Sequence, residues 1–262
     1  MNGQPLVLNP DRFFPIDEKA RGLARTLYDG VKDAPIISPH GHTDPAWFAD
    51  NAHFTNATEF LITPDHYILR MLYSQGVSME ALGVVSGDVG SAIDAREAWR
   101  TFAKHYYLFR GTPVRIWLDH SFSEVFGLDV SLNEQTADHY FDTINANLAS
   151  DGFRPRALID KFNVAYLSTT EGALDDLAHH AKLKNDGLNH RVTTTFRPDD
   201  ITNPDGVGFA QNLKNLAELT GKDTSNWPDF LDAIRDRRAH FLAHGATATD
   251  HGHPSPQTSN LD

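Results

Sequence analysis

Residues 163–170 read NVAYLSTT and residues 191–196 read RVTTTF. Each segment is short, rich in apolar or β-branched residues and followed by polar ones, which is typical of a buried strand with a polar exit. A helical pattern lies between them, near residues 173–185. Strands that alternate with helices indicate a parallel sheet with crossover helices. This stretch therefore predicts an α/β fold.

Two more strands extend this pattern in both directions. Residues 35–38 form an apolar run that ends in a polar segment, and residues 246–249 read ATAT before an Asp-His pair. We expect the four strands to be parallel neighbours in sequence order. Helices are predicted near 207–219 and 228–243, and the second should bury Leu231, Ile234, Ala239 and Leu242.

The chain between the first two strands has helical periodicity and no convincing strand pattern. A helix at 16–31 precedes the first strand, and Ser131 to Glu134 has the spacing of a capping box. We therefore divide the chain into residues 1–44, with the first helix and strand, a helical insertion at 45–160, and strands two to four at 161–262. The predicted helices of the insertion are 65–75, 91–108, 114–126 and 134–149.

Composition excludes several classes of protein. The 262 residues include no cysteine, so disulfides and thiolate metal sites are ruled out. A net charge of −12 argues against nucleic-acid binding by a basic face. No signal peptide is recognisable, and no run of apolar residues is long enough to span a membrane. We expect a cytoplasmic protein with neither a nucleic acid nor a membrane as partner.

Two histidines, His40 and His42, follow the first predicted strand. Residues at i and i+2 of a strand face the same way, so two imidazoles can converge on a metal ion there. The spacing alone is weak evidence, since 14 histidines produce about 0.7 such pairs by chance, and a second pair occurs at His251 and His253. From the residues alone, metal ligation and ordinary hydrogen-bonded histidines both stay open.

Other polar residues stand at strand ends or at a helix start. Arg197 before a proline is either a plain strand stop or an arginine aimed at a carboxylate. Asp250 is either the start of a polar loop or a site carboxylate. Asp65 fits a helix cap, which leaves His66 and Tyr67 as adjacent groups capable of proton transfer. The pair His179-His180 lies on a crossover helix and is interpreted as structural.

In their order along the chain, these motifs resemble the uronate isomerase family of the amidohydrolase superfamily. They are PIISPHGHTDP, PDHY, AYLSTTE, TTTFRPDD and AHGATATDH. The resemblance implies a (β/α)₈ barrel of the TIM type, with about the first four βα units in this chain and the helical insertion after strand one. By the family's length the chain is expected to be an N-terminal part, without the last-strand Asp that completes the metal site.

The resemblance also implies an activity and its residues. The family interconverts an aldohexuronate and its keto form, D-glucuronate with D-fructuronate or D-galacturonate with D-tagaturonate, by moving a proton from C2 to C1. His40 and His42 would bind a divalent metal, for which zinc is the first candidate. His66, Tyr67 and Asp250 would be catalytic. Arg197 would hold the carboxylate of the small sugar-acid substrate.

Two alternatives stay open. One is a metal-dependent hydrolase of the same superfamily, which would use a metal-bound hydroxide against an amide, ester or lactone. The other is an inactive half-barrel that binds a partner or self-associates as a homo-oligomer to cover open sheet edges. With only two imidazoles as ligands, residues 1–262 alone are expected to bind metal weakly and to isomerise uronates poorly or not at all.

Overall fold

The computed structural model describes residues 3–82, 84 and 94–252. The predicted helices are present, and most of them are shorter than the sequence pattern suggested. In chain order the helices are α1 (Glu18–Asp29), α2 (Pro45–Asp50), α3 (Ala57–Leu61), α4 (His66–Tyr73), α5 (Ala95–His105), α6 (Pro113–His120), α7 (Ala137–Leu148), α8 (Pro155–Lys161), α9 (Ala178–Asn185), α10 (Asp199–Thr202), α11 (Phe209–Thr220) and α12 (Trp227–Ala243).

The chain divides into two compact units. The first unit takes the described parts of residues 1–33 and 52–158, and the second unit those of 34–51 and 159–262. Within the described residues, no helix is both long and apolar enough to cross a bilayer.

The core of the first unit is aromatic. In α5 the residues spaced three and four apart, Ala98, Trp99, Phe102 and Ala103, are buried on one face. The Trp99 indole N–H donates to the carbonyl of Ala137 at 3.0 Å, so its one polar atom is satisfied inside the core. The largest buried side chains around it are Tyr106, Phe109, Phe122 and Tyr140.

Local capping sets two helix starts in the first unit. Asp65 accepts the backbone N–H groups of Tyr67 and Ile68, which confirms its predicted role as the cap of α4. The predicted capping box at residues 131–134 is wrong. Asn133 instead accepts the N–H groups of the next residues in a local turn, so α7 begins only after Thr136.

The apolar stripe of α1 is present but exposed. None of the residues of this helix is buried, and Leu23 and Leu27 are 61 % and 74 % accessible. The strand at Ile36 and Ile37 is likewise exposed, although its apolar run predicted burial. Periodicity correctly predicted both elements, while burial depends on packing partners, which these faces lack among the described residues.

The second unit is built on a parallel sheet of three strands in the order β1 (Ile36–Ser38), β2 (Val164–Gly172) and β3 (Val192–Arg197). The first three predicted strands, their parallel direction and their order are confirmed. The register pairs Leu167 with Val192 and continues to Gly172 opposite Arg197. Both long strands therefore end at the same edge of the sheet.

The fourth predicted strand, at 246–249, is reduced to one parallel bridge between Phe196 and Thr249. The amide of Phe196 donates to Ala248, and the amide of Asp250 donates back to Phe196. Pairing does not extend towards the start of the segment because the N–H of Ala246 donates to Phe241, where it caps α12. The segment still follows β3 in the expected direction.

Helix α12 packs on the sheet through a face that the sequence predicted only in part: Ile234 packs against the buried cluster as expected, whereas Ala239 is exposed. Its buried residues are Ala233, Arg237 and Phe241, spaced by four, whereas the predicted core residue Leu242 is 66 % accessible. Arg237 is buried because its guanidinium donates to the carbonyls of Ala173 and Asp175 at 2.8 and 2.6 Å. A hydrophobicity pattern that counts arginine as polar therefore predicts part of the buried face of this helix wrongly.

Replacing Phe241 with Ala tests this packing. Phe241 is 1 % accessible and lies edge-on to Phe196 at 5.0 Å, so its truncation should lower the free energy of unfolding by about 3–5 kcal/mol. The matched control is Leu242→Ala, the next residue of the helix, which should change stability by less than about 0.5 kcal/mol. Urea unfolding followed by circular dichroism measures both. Equal effects would contradict the observed helix face.

Candidate metal and anion site

The face of the sheet towards the candidate site is lined with hydroxyl groups. Tyr166 contacts Thr193 at 2.7 Å, and Ser168 contacts Thr195 at 2.6 Å, oxygen to oxygen. At the end of this row, the hydroxyl of Thr170 donates to the backbone carbonyl of Gly41 at 2.9 Å. The segment after β1 is thereby tied to β2.

Glycine at position 41 allows this approach without crowding. A Cβ atom there would lie 3.2 Å from the carbonyl oxygen of Ser168, closer than most such contacts. The backbone of the His40-Gly41-His42 segment therefore runs directly against β2. This anchoring places the two histidines at the carboxyl edge of the sheet.

Three of the predicted site residues come together there. The Nε2 atoms of His40 and His42 are 3.1 Å apart, and their rings are nearly perpendicular. With a carboxylate oxygen of Asp250, they form a group whose potential ligand atoms all lie within 4.8 Å of one another. Both histidines are exposed, and Asp250 is partly buried.

This donor set fits a divalent metal. Two imidazole nitrogens bound at roughly 2.0–2.1 Å to one ion, at angles between 90° and tetrahedral, lie about 2.9–3.4 Å apart. The observed 3.1 Å falls in that range. Two nitrogens and one carboxylate oxygen also match the three protein ligands of many catalytic zinc sites. The sequence had suggested only the two imidazoles as ligands, so Asp250 is a third candidate.

Arg197 stands beside this group between two carboxylates. Its Nε donates to Asp199 at 2.7 Å, and its Nη1 donates to Asp250 at 3.0 Å. The hydrogen bond to Asp199 and the charges of both carboxylates raise the pKa of Arg197 above its ordinary value, against the effect of burial. An arginine carries five N–H groups, so three remain without a partner among the described residues.

The charges of this group are unbalanced. Burial acts to raise the pKa of Asp199, but its hydrogen bonds from Arg197 and Gly252 prevail and lower it. With both carboxylates ionised, one positive and two negative charges leave a net charge of −1 at the sheet edge. A divalent cation beside Asp250 would make the local charge positive, and the site would then attract an anion.

The remaining predicted site residues, His66 and Tyr67, lie in the first unit at the start of α4. Both are exposed, and their rings are 4.2 Å apart. Their catalytic roles stay predictions. Of the second histidine pair, His251 is described and exposed, while His253 lies outside the described residues.

The opposite face of the sheet holds a buried polar network that the sequence did not point to. Glu171 and His180 are 7 % and 3 % accessible, with 3.7 Å between Oε2 and Nε2. Thr194 donates its hydroxyl to Glu171. Thr169 donates to the carbonyl of Thr193 and contacts His180 Nε2 at 2.9 Å. If Thr169 donates its hydroxyl proton to Thr193, the contact with His180 requires the proton on Nε2 of the imidazole.

Burial governs the charge of both groups. It raises the pKa of Glu171 and lowers the pKa of His180 to about 4, because a charged form is poorly solvated there. The two side chains therefore favour their neutral forms. The sequence signal for this network was an acid at the end of β2 and a histidine on the covering helix, which had been interpreted as structural.

Comparison with known proteins agrees with these motifs. The sequence model of the family described as Glucuronate isomerase matches residues 13–260. Over 262 residues the chain is 54 % identical to the uronate isomerase of Rhizorhabdus wittichii, covering all of this chain and 55 % of the relative. Over 257 residues it is 52 % identical to the uronate isomerase of Mesorhizobium japonicum, covering 97 % and 55 %.

Two solved structures are also similar. The glucuronate isomerase of Caulobacter crescentus superposes with a TM-score of 0.94 at 51 % identity, over 99 % of this chain and 54 % of that one. The uronate isomerase of Thermotoga maritima superposes with a TM-score of 0.85 at 27 % identity, over 98 % and 54 %. The chain spans about half the length of the curated relatives it matches.

The Glu171 network predicts a dependence of stability on pH. A raised folded-state pKa contributes stability that is complete below the ordinary value of 4.5 and is lost as pH rises through the folded value. A glutamine side chain does not ionise, so the Glu171→Gln variant does not lose stability in this way. The stability of Glu171→Gln relative to the wild type should therefore increase from about pH 4 to about pH 8.

Urea unfolding at several pH values measures this difference. Both proteins keep His180, whose lowered pKa acts in the opposite direction, so its contribution largely cancels. The control is Glu218→Gln, an exposed glutamate on α11, for which the difference should stay nearly constant. A difference for Glu171→Gln that is flat with pH would show that the carboxyl group is not held neutral by burial.

Proposed function

Because this chain belongs to the glucuronate isomerase family, we propose that it carries the metal-binding and carboxylate-binding side of a site that interconverts an aldohexuronate and its keto form. The observation that carries the proposal is the group of His40, His42 and Asp250 with Arg197 beside it. The substrate pair is D-glucuronate with D-fructuronate, or D-galacturonate with D-tagaturonate. The family's uronate isomerases favour this reaction over the hydrolase alternative.

A sugar acid in its open form needs an anchor for its carboxylate. The three N–H groups of Arg197 without a partner among the described residues can receive that carboxylate in a charge-assisted contact. Such an anchor fixes the distance of the C1 and C2 atoms from the rest of the site. Arg197 is thus assigned to orientation and binding, and the proposal assigns it no proton transfer.

His40, His42 and Asp250 would hold the divalent metal, with zinc as the first candidate. When bound, the ion would supply Lewis-acid stabilisation of negative charge that develops on the sugar oxygens. Asp250 also accepts a hydrogen bond from Arg197, so its carboxylate couples the two parts of the site.

Isomerisation moves the proton of the C2 hydroxyl to the C1 oxygen, and it moves a proton from C2 to C1 of the substrate. The proposal assigns this transfer to Tyr67, His66 and Asp250, on the strength of the PDHY motif and of the site at the sheet edge. It also takes β1, β2, β3 and the bridge at Thr249 as the first strands of a (β/α)₈ barrel. A TM-score of 0.94 with a glucuronate isomerase supports that arrangement.

Zinc binding is the first test. The expectation of weak binding rested on two imidazoles alone. With Asp250 as a third ligand, titration calorimetry should find one zinc ion per chain, and His42→Ala should weaken its binding by more than about tenfold, because a direct ligand is lost. The control is His190→Ala, an exposed histidine of the second unit, which should bind zinc as the wild type does. Equal loss in both variants would point to non-specific binding by surface histidines.

Isomerisation is the second test. With zinc present, the chain should convert D-glucuronate slowly into D-fructuronate, as followed by proton NMR. Arg197→Met should react at least about tenfold more slowly at low substrate, through a higher KM, because a charged hydrogen bond to the carboxylate is lost. D-Glucose, which lacks the carboxylate, should not react. Hydrolysis of an ester or lactone in place of isomerisation would contradict the proposal.

A further inference from the structure

One carboxylate oxygen joins two separate segments at the sheet edge. Oδ2 of Asp199 accepts a hydrogen bond from Nε of Arg197 at 2.7 Å and another from the backbone N–H of Gly252 at 2.8 Å. Arg197 ends β3, whereas Gly252 follows the bridge at Thr249. Asp199 thereby holds the end of one strand to the segment that carries Asp250.

Glycine leaves room for the two side chains where this contact is made. A Cβ atom at position 252 would lie 2.9 Å from Nη2 of Arg197 and 2.9 Å from Oδ2 of Asp199, which is closer than real Cβ atoms come to such neighbours. A side chain would therefore push the guanidinium and the carboxylate away from the segment. The glycine between His251 and His253 thus has a structural reason that is independent of metal binding.

The contact with Asp199 limits how Arg197 can meet Asp250. An arginine beside a single carboxylate tends to form two parallel hydrogen bonds to both of its oxygens. Here Nε is held by Asp199, and among the described residues Arg197 bonds only Oδ2 of Asp250. The other oxygen of Asp250 is left free of the guanidinium. Three N–H groups of Arg197 stay available as well.

We propose that Asp199 is a positioning residue of the site, which with Gly252 fixes the guanidinium of Arg197 in the orientation that receives a substrate carboxylate. This inference rests on the proposed function for the identity of the anion, a sugar acid. It adds a residue that touches neither the metal group nor the substrate. Asp199 acts through Arg197. Its effect should depend on the position of Oδ2, the oxygen that accepts the two hydrogen bonds.

Three variants separate this role from others. Asp199→Ala removes the acceptor, and Gly252→Ala displaces the same contact without removing a charge. Asp199→Asn keeps a carbonyl oxygen that can accept both hydrogen bonds, so it is the conservative variant. Asp205→Ala, an exposed acid in the loop after α10, is the control for the loss of one negative charge. Circular dichroism checks that each variant is folded.

The first measurement is the NMR resonance of the Arg197 Nε–H group, assigned by its absence in Arg197→Lys. Its proton should exchange slowly with water in the wild type and in Asp205→Ala, because it is hydrogen-bonded. Exchange should become at least about tenfold faster in Asp199→Ala and Gly252→Ala, with Asp199→Asn closer to the wild type. This measurement needs neither metal nor substrate.

The second measurement follows the same resonance as D-glucuronate or D-glucose is added in the presence of zinc. Wild type should respond to glucuronate only, and Asp199→Ala and Gly252→Ala should bind it at least about tenfold more weakly, with partial rescue in Asp199→Asn. If the Arg197 resonance of the wild type does not respond to glucuronate, the proposed role of Arg197 in substrate binding is refuted. The exchange rates would then still test whether Asp199 positions the guanidinium. The inference would be overturned if both alanine variants showed the same Nε-proton exchange rate and the same affinity for glucuronate as the wild type. If Asp199→Ala does not fold, the comparison of Gly252→Ala with Asp199→Asn decides it.

Discussion

The parallel pairing of β2 with β3 is the interaction on which the candidate site depends. In this register Gly172 lies opposite Arg197, so both strands end at one edge of the sheet. The segment after β1 joins that edge through the hydrogen bond from Thr170 to Gly41, and the segment with Asp250 joins it by pairing with Phe196. The groups of the candidate metal and anion site are therefore held at this edge by the strands or by hydrogen bonds to them.

Both faces of the sheet contain polar groups, and this restricts the register. On one face hydroxyl groups bond one another across the strands, as in the pair of Ser168 and Thr195. On the other, Thr194 donates to the buried Glu171. A shift of one residue would move Glu171 to the opposite face and leave a buried acid without its partner, which is unfavourable. The network is therefore selective for one pairing.

Local patterns in the sequence predicted much of this structure. Apolar segments with polar ends correctly located three parallel strands, and Asp65 was correctly predicted as a helix cap. Burial was predicted less well. The face of α12 contains Arg237, whose guanidinium is satisfied by carbonyl groups far away in the sequence, so a count of apolar residues along the helix could not find it. Exposed apolar residues on α1 show the same limit.

The sequence by itself determined the elements, their order, the family and the residue types of the site, because these follow from short-range periodicity and from motifs such as His40-Gly41-His42. Only the tertiary structure decided which groups meet. The sequence had already placed Asp250 and the two histidines at the ends of neighbouring strands, and the fold set their ligand atoms within 4.8 Å of one another. It also joined Asp199 to Gly252 across more than fifty residues and shortened the fourth strand to one bridge. The physical reason is that a hydrogen-bond donor selects among all acceptors within reach in the folded chain, and spacing along the sequence does not encode that choice.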